Sequence, residues 1–110
     1  MDVERAIHTI MIDNDEVRVT EWRFAPGTST GHHRHEYGYV VVPQTTGRLS
    51  IIAAGGTTSA DLTVGQPYYR QAGVEHEVRN ANDYEFVFVE VEVKQTPSAS
   101  AVDQDAENPA

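Results

Sequence analysis

The sequence predicts an all-β fold, a sandwich or a small barrel, and three observations predict it. No segment sustains the 3.6-residue apolar period of an amphipathic helix. About eight short runs are rich in β-branched and aromatic residues. Turn residues punctuate those runs every eight to twelve positions, the spacing of antiparallel sheets.

The strands follow in order. Ala6 to Ile12 is apolar and β-branched, and Asp13-Asn14-Asp15 turns the chain. Val17 to Phe24 is a second strand, stopped by Ala25-Pro26-Gly27. His32 to Val42 reads as one continuous strand ending at Pro43. After the turn Gln44 to Gly47, Leu49 to Ala53 is a fourth, and Gly55-Gly56 signals a hairpin into Ser59 to Val64. Pro67 to Arg70 is short, Ala72-Gly73 is a turn, and Glu75 to Arg79 is closed by Asn80-Ala81-Asn82-Asp83. Tyr84 to Val93 alternates most regularly, with Val87, Val89, Val91 and Val93 on one face. Its other face carries Phe86, Phe88, Glu90 and Glu92. This face reads as a solvent-facing edge, with entry of Glu90 into a pocket as the alternative.

At 110 residues the chain is one domain, spanning residues 1–96, long enough to bury roughly two thirds of its unfolded surface. Residues 97–110 carry Ser, Ala, Asp and Pro with no aromatic and read as a disordered acidic tail. The absence of cysteine excludes a disulfide framework and a thiolate site. There is neither a signal-peptide pattern nor an apolar run of membrane-spanning length, so a cytoplasmic location is expected. Of the net charge of −9, Asp103, Asp105 and Glu107 lie in the tail, leaving −6 on the body. Such a surface repels phosphate backbones, which argues against nucleic acid as a partner.

Histidine is concentrated in Gly27 to Gly47, GTSTGHHRHEYGYVVVPQTTG, which holds three of the five, with His76 in a second punctuated stretch, GQPYYRQAGVEHEVRN. On a regular strand His33 and His35, two apart, send both rings from one face, and such a pair supplies two nitrogens to one ion. His32 alternates away, and His8 stands alone on the first strand.

The two stretches resemble the paired motifs of the cupins. In the first, G-x5-HxH-x3,4-E-x6-G, Gly27, His33, His35 and Gly47 are in register. In the second, G-x5-PxG-x2-H-x3-N, Gly65, Gly73, His76 and Asn80 are. Along most of residues 15–94 the chain is also similar to small one-domain bacterial cupins associated with β-alanine degradation. The resemblance implies a jelly roll, or small double-stranded β-helix barrel, with one divalent transition metal ion inside on His33, His35 and His76.

Two motif positions differ. The motif proline is replaced by Gln71, a mild change in a turn, and the motif glutamate falls on Tyr39 or Val40. Glu36, adjacent to His35, points to the opposite face of a regular strand. Three neutral imidazoles then leave the ion's charge uncompensated, with positions open to an anionic, preferably bidentate ligand. Imidazole suits Fe, Zn, Ni and Cu, and Mn also stands among the candidates; likeness to three-histidine dioxygenases favours Fe(II). On a regular strand Tyr37 and Tyr39 share the face of the histidine pair. Tyr39 is the candidate catalytic phenol, and Tyr37 with Arg70 the candidate substrate-binding groups.

Two functions fit. One is a metal-dependent enzyme, dioxygenase or lyase/isomerase, acting on a small carboxylate- or enolate-bearing metabolite. The other is a non-catalytic module that binds or senses a small ligand. A homodimer is expected in either case, through the N-terminal strand or Tyr84 to Val93, because a lone jelly roll has edges to hide.

Overall fold

The computed structural model describes residues 4–94, so the predicted tail lies outside the described residues. Nine strands are formed, β1 (Ile7–Asp13), β2 (Val17–Phe24), β3 (His33–Arg34), β4 (Gly38–Pro43), β5 (Gly47–Ala53), β6 (Gly56–Leu62), β7 (Tyr68–Arg70), β8 (Glu75–Asn80) and β9 (Phe86–Val93). No helix occurs among the described residues, and none is long and apolar enough to cross a membrane. The strands make two antiparallel sheets, one of five in the order β1-β2-β9-β4-β7 and one of four in the order β3-β8-β5-β6.

The core lies between the sheets. Phe24 and Phe86 are fully buried, with Phe88, Tyr39, Val41, Leu49, Leu62 and Val78 around them. Each such side chain contributes about 1.5–3 kcal/mol by leaving water. Trp22, Phe24 and Phe88 run as an aromatic line, with successive ring centroids 6.1 and 5.4 Å apart.

The run expected as one strand from His32 to Val42 is two. β3 pairs with β8 in the four-stranded sheet, whereas β4 pairs with β9 and β7 in the other. Between them the His35 backbone leaves the ladder. Its N–H donates to Val74 O at 2.8 Å and its carbonyl accepts from Gly73 N–H at 2.8 Å, tying it to the turn between β7 and β8. The chain thus changes sheets between His35 and Gly38. Gly73, at φ +97°, occupies the left-handed region that this turn requires.

β9 is not an edge. It lies between β2 and β4, which turns Phe86, Phe88 and Glu90 inward; on the other face Val89 and Val91 are half-buried and Val93 exposed, while Val87 is buried apart from the core cluster. The hairpin at Gly55-Gly56 forms, but β6 starts at Gly56 and ends at Leu62, earlier than the predicted Ser59 to Val64. Asn80 closes the end of the barrel: its buried side-chain amide donates to Tyr84 O (2.8 Å) and Phe24 O (3.1 Å), and its Oδ1 accepts from Asn82 N–H (2.8 Å).

Candidate metal centre

His33 and His76 face one another as direct partners of the β3–β8 ladder, and His35 follows one residue beyond β3. The three rings converge. His33 Nε2 lies 2.9 Å from His35 Nε2, which lies 3.3 Å from His76 Nε2. His35 and His76 are buried, His33 half-buried. The convergence therefore does not come from one regular strand, as the i, i+2 spacing predicts, but from a ladder pair and a residue at a sheet crossing.

The donor set suits a metal ion. Ligand nitrogens about 2.1 Å from a shared ion lie about 3.0 Å apart at 90° and about 3.4 Å apart at a tetrahedral angle. The observed 2.9 and 3.3 Å fall at those separations. A ring nitrogen from each of the three histidines lies within 4.8 Å of the other two. His33 Nδ1 is 2.9 Å from Gly31 O, so it carries the proton and donates it, leaving Nε2 with a free lone pair toward the others. Burial pushes His35 down to about 3, with the charges of His33 and His76 adding to the effect. Burial likewise pushes His76 down to about 4, helped by His33, Arg70 and His32. Both imidazoles are neutral at ordinary pH, the form that binds a metal.

A pocket opens beside the histidines. Trp22, Tyr68, Phe88 and Ile51 form apolar walls, and His33, His76, Tyr39, Arg70 and Glu90 bring polar groups. It holds about 410 Å³ of empty space counting its mouth, but only about 20 Å³ admits the centre of a water molecule. The interior has room for about one or two waters, so a larger guest must displace side chains at the mouth.

The other predicted residues divide. Tyr39 is 2% exposed and its ring stacks on His35. Burial and the nearby Glu90 raise its phenol above the ordinary value, so it keeps its proton and acts as a donor rather than a base. Tyr37 sits half-buried in the bend between β3 and β4 and does not line the pocket. Arg70 is an exposed residue that nonetheless reaches the pocket, its guanidinium 5.7 Å from the Tyr68 ring centroid. Glu36 is exposed in the bend, and His32 is exposed 3.7 Å from Glu75. His8 is exposed on β1 against Trp22. Glu90, 8% exposed, is the pocket residue that the alternation disguises as an edge acid. The available signal was its place on the same face as Phe86 and Phe88.

Comparison with known proteins bears on this geometry. No family model matches the chain. The chain is 56% identical over 90 residues to the beta-alanine degradation protein BauB of Pseudomonas aeruginosa, covering 82% of this chain and 95% of that one. It is 54% identical to a cupin domain of Bordetella pertussis whose crystal structure superposes with a TM-score of 0.84, covering 86% of this chain and 99% of that one. The chain is a cupin. A double-stranded β-helix protein of Klebsiella pneumoniae, 21% identical with a TM-score of 0.68, covers 86% of this chain and 81% of that one; it shares the fold. In this cupin the motif residues serve two purposes: the histidines converge on one point, while Gly73 and Asn80 hold the turn and the barrel end that put them there.

Proposed function

We propose that this cupin binds one divalent transition metal ion on His33, His35 and His76 and acts with it on a small carboxylate- or enolate-bearing metabolite, as an oxygenase or a lyase/isomerase. The observation that carries the reading is the convergence of three ring nitrogens, two of them on buried neutral imidazoles, at the wall of a pocket with polar groups on its far side. A bound ion supplies Lewis acidity and, if it is Fe(II), the metal we favour, a binding position for dioxygen. The residues supply the rest. The Tyr39 phenol, which retains its proton, donates a hydrogen bond to a bound anion. Arg70 at the pocket meets a carboxylate with its planar fork. The apolar walls favour a compact organic anion over a hydrated inorganic one. β-Alanine is itself a three-carbon carboxylate, so the name of the Pseudomonas relative agrees with this class.

The second reading, a binding or sensing module without turnover, draws on two observations: Tyr39, not a carboxylate, lies against His35, and the interior is tight. Anaerobic Fe(II) loading, followed by oxygen consumption and product analysis with a panel of three- and four-carbon keto, hydroxy and β-amino acids, separates the two. Turnover with one class, abolished in His76→Ala, supports the enzyme. Tight binding without turnover supports the module.

We further infer a homodimer through β1 and the outer face of the five-stranded sheet. That face, which a solvated sheet would make polar, carries Val19, Val40, Val42, Val89 and Val91, all half-buried in the single chain. It continues into β1, a free edge whose Ile7 and Ile12 are 67% and 49% exposed. A second copy covers both features at once.

A further inference from the structure

Glu90 is a buried acid to which the metal reading gives no task. It stands mid-way along β9, with Thr20 of β2 and Val41 of β4 as its cross-strand neighbours. Its side chain is turned inward with Phe88 and lines the pocket that His33 and His76 line from the opposite sheet. No cation pairs with it among the described residues; the adjacent Glu92 takes Arg18 at 3.7 Å. The groups that face it are Trp22 from β2, Tyr39 from β4, Tyr68 and Arg70 from β7, and Glu92 along its own strand. Burial raises its carboxyl to about 7, Glu92 adds to the rise and Trp22 opposes it. A valine or threonine at this position, like its two neighbours, would fill the space without the cost of desolvating a carboxyl. A carboxyl exchanging its proton near neutrality at the wall of the pocket that the histidines line has a chemical use.

We propose that Glu90 is the pocket's proton acceptor: a small acid entering in its neutral enol, hydroxy or hydroxamic form gives its O–H proton to a Glu90 oxygen and is held as the bidentate anion against the three-histidine centre. The inference rests on the metal reading and deepens it. The bond broken is the ligand O–H and the bond formed is the Glu90 carboxyl O–H, so charge is conserved within the pocket. Both ends of the transfer are favoured. The neutral acid is the form that burial prefers for Glu90. The anion is the form demanded by a donor set of neutral imidazoles, which contributes no negative charge.

The test uses the full chain loaded with Zn(II), which is redox-silent, and acetohydroxamate as the bidentate acid. Zinc uptake is measured first. Calorimetric titration at pH 7.5 in two buffers of different protonation enthalpy then counts the protons released on hydroxamate binding. Wild type is expected to release close to none, because Glu90 takes the proton. Glu90→Gln is expected to hold the same zinc, release about one proton and bind hydroxamate about tenfold more weakly, the factor that one pKa unit represents. Equal proton release in the two proteins overturns the proposal, as does zinc uptake without hydroxamate binding. Failure of wild type to take up zinc overturns the metal reading and this inference with it, and is seen before any hydroxamate is added. Should Glu90→Gln not fold, the wild-type infrared difference spectrum decides. A protonated-carboxyl band appearing on hydroxamate binding is expected, and its absence overturns the proposal.

Discussion

The Tyr39 ring lies flat on the His35 imidazole, centroids 3.8 Å apart and planes 20° from parallel. Tyr39 stands where the first cupin motif can place its glutamate, so a neutral aromatic holds the ligand ring in place of a carboxylate that would share the ion. Restoring the acid should therefore tighten the site. Tyr39→Glu is expected to bind divalent metal more strongly than wild type and, when metal-free, to melt lower, because it buries an uncompensated carboxyl. Competition with a chelating indicator and melting with and without metal read the two effects. Unchanged affinity would show that position 39 does not face the ion.

Protons and folding are linked at the histidines. His35 and His76 titrate lower in the folded protein than in the unfolded chain, so the unfolded state binds more protons below about pH 6.5. Their contribution to the stability of the metal-free protein is expected to be full above that pH and to be lost as pH drops toward about 4 and 3. Replacing both by Gln should flatten that acid limb in urea titrations across pH 3–7.

Glu90 gives a limb of opposite sign. Its folded value, about 7, lies above its unfolded one, so its contribution is present below about pH 4.5 and is lost as pH rises through 7. Glu90→Gln is expected to remove this loss, leaving the metal-free variant more stable than wild type at pH 8. A variant less stable than wild type there would mean that Glu90 is held ionised by a partner.

Asn80→Ala should weaken the fold rather than the metal site. It strips partners from the Tyr84 and Phe24 carbonyls and the Asn82 N–H at the barrel end. At about 1–3 kcal/mol for the buried Phe24 carbonyl left unpaired and less for the two part-buried groups, a loss of about 3 kcal/mol is expected in urea unfolding, with metal content unchanged well below the melting temperature.

The proposed dimer has a direct check. Ile7→Lys/Ile12→Lys places charge on the exposed apolar edge strand, where substitution costs the isolated fold little. Light scattering is expected to give a dimer for wild type and a folded monomer for the variant. A monomeric wild type would contradict the assignment of the valine face to a second copy.

Much of this was legible in the sequence. The β-branched runs and their turns located most strands, because strand formation here follows local pattern and burial on one face. The motif spacing brought His33, His35 and His76 together. Two things were not legible, and for one reason. HRHEYGYVVV is uniformly strand-like, and its break is made by His35 bonding to Val74 and Gly73 some forty residues away. Likewise, the alternation of β9 shows two faces but not which is inside. Val89, Val91 and Val93 look like the core and lie on the outer face, because β9 lies in the middle of a sheet whose inner layer is aromatic. The same inversion made pocket entry of Glu90 the alternative reading and a solvent-facing edge the first one. Long-range pairing, not local preference, decides both.

The most direct measurement is the metal content of protein purified without chelator, wild type beside His33→Ala/His76→Ala. Close to one equivalent of a divalent transition metal is expected in wild type and almost none in a variant that remains folded. Full metal content in the variant, or wild type that neither contains metal nor takes up Fe(II), Mn(II), Ni(II) or Zn(II), would contradict the metal reading.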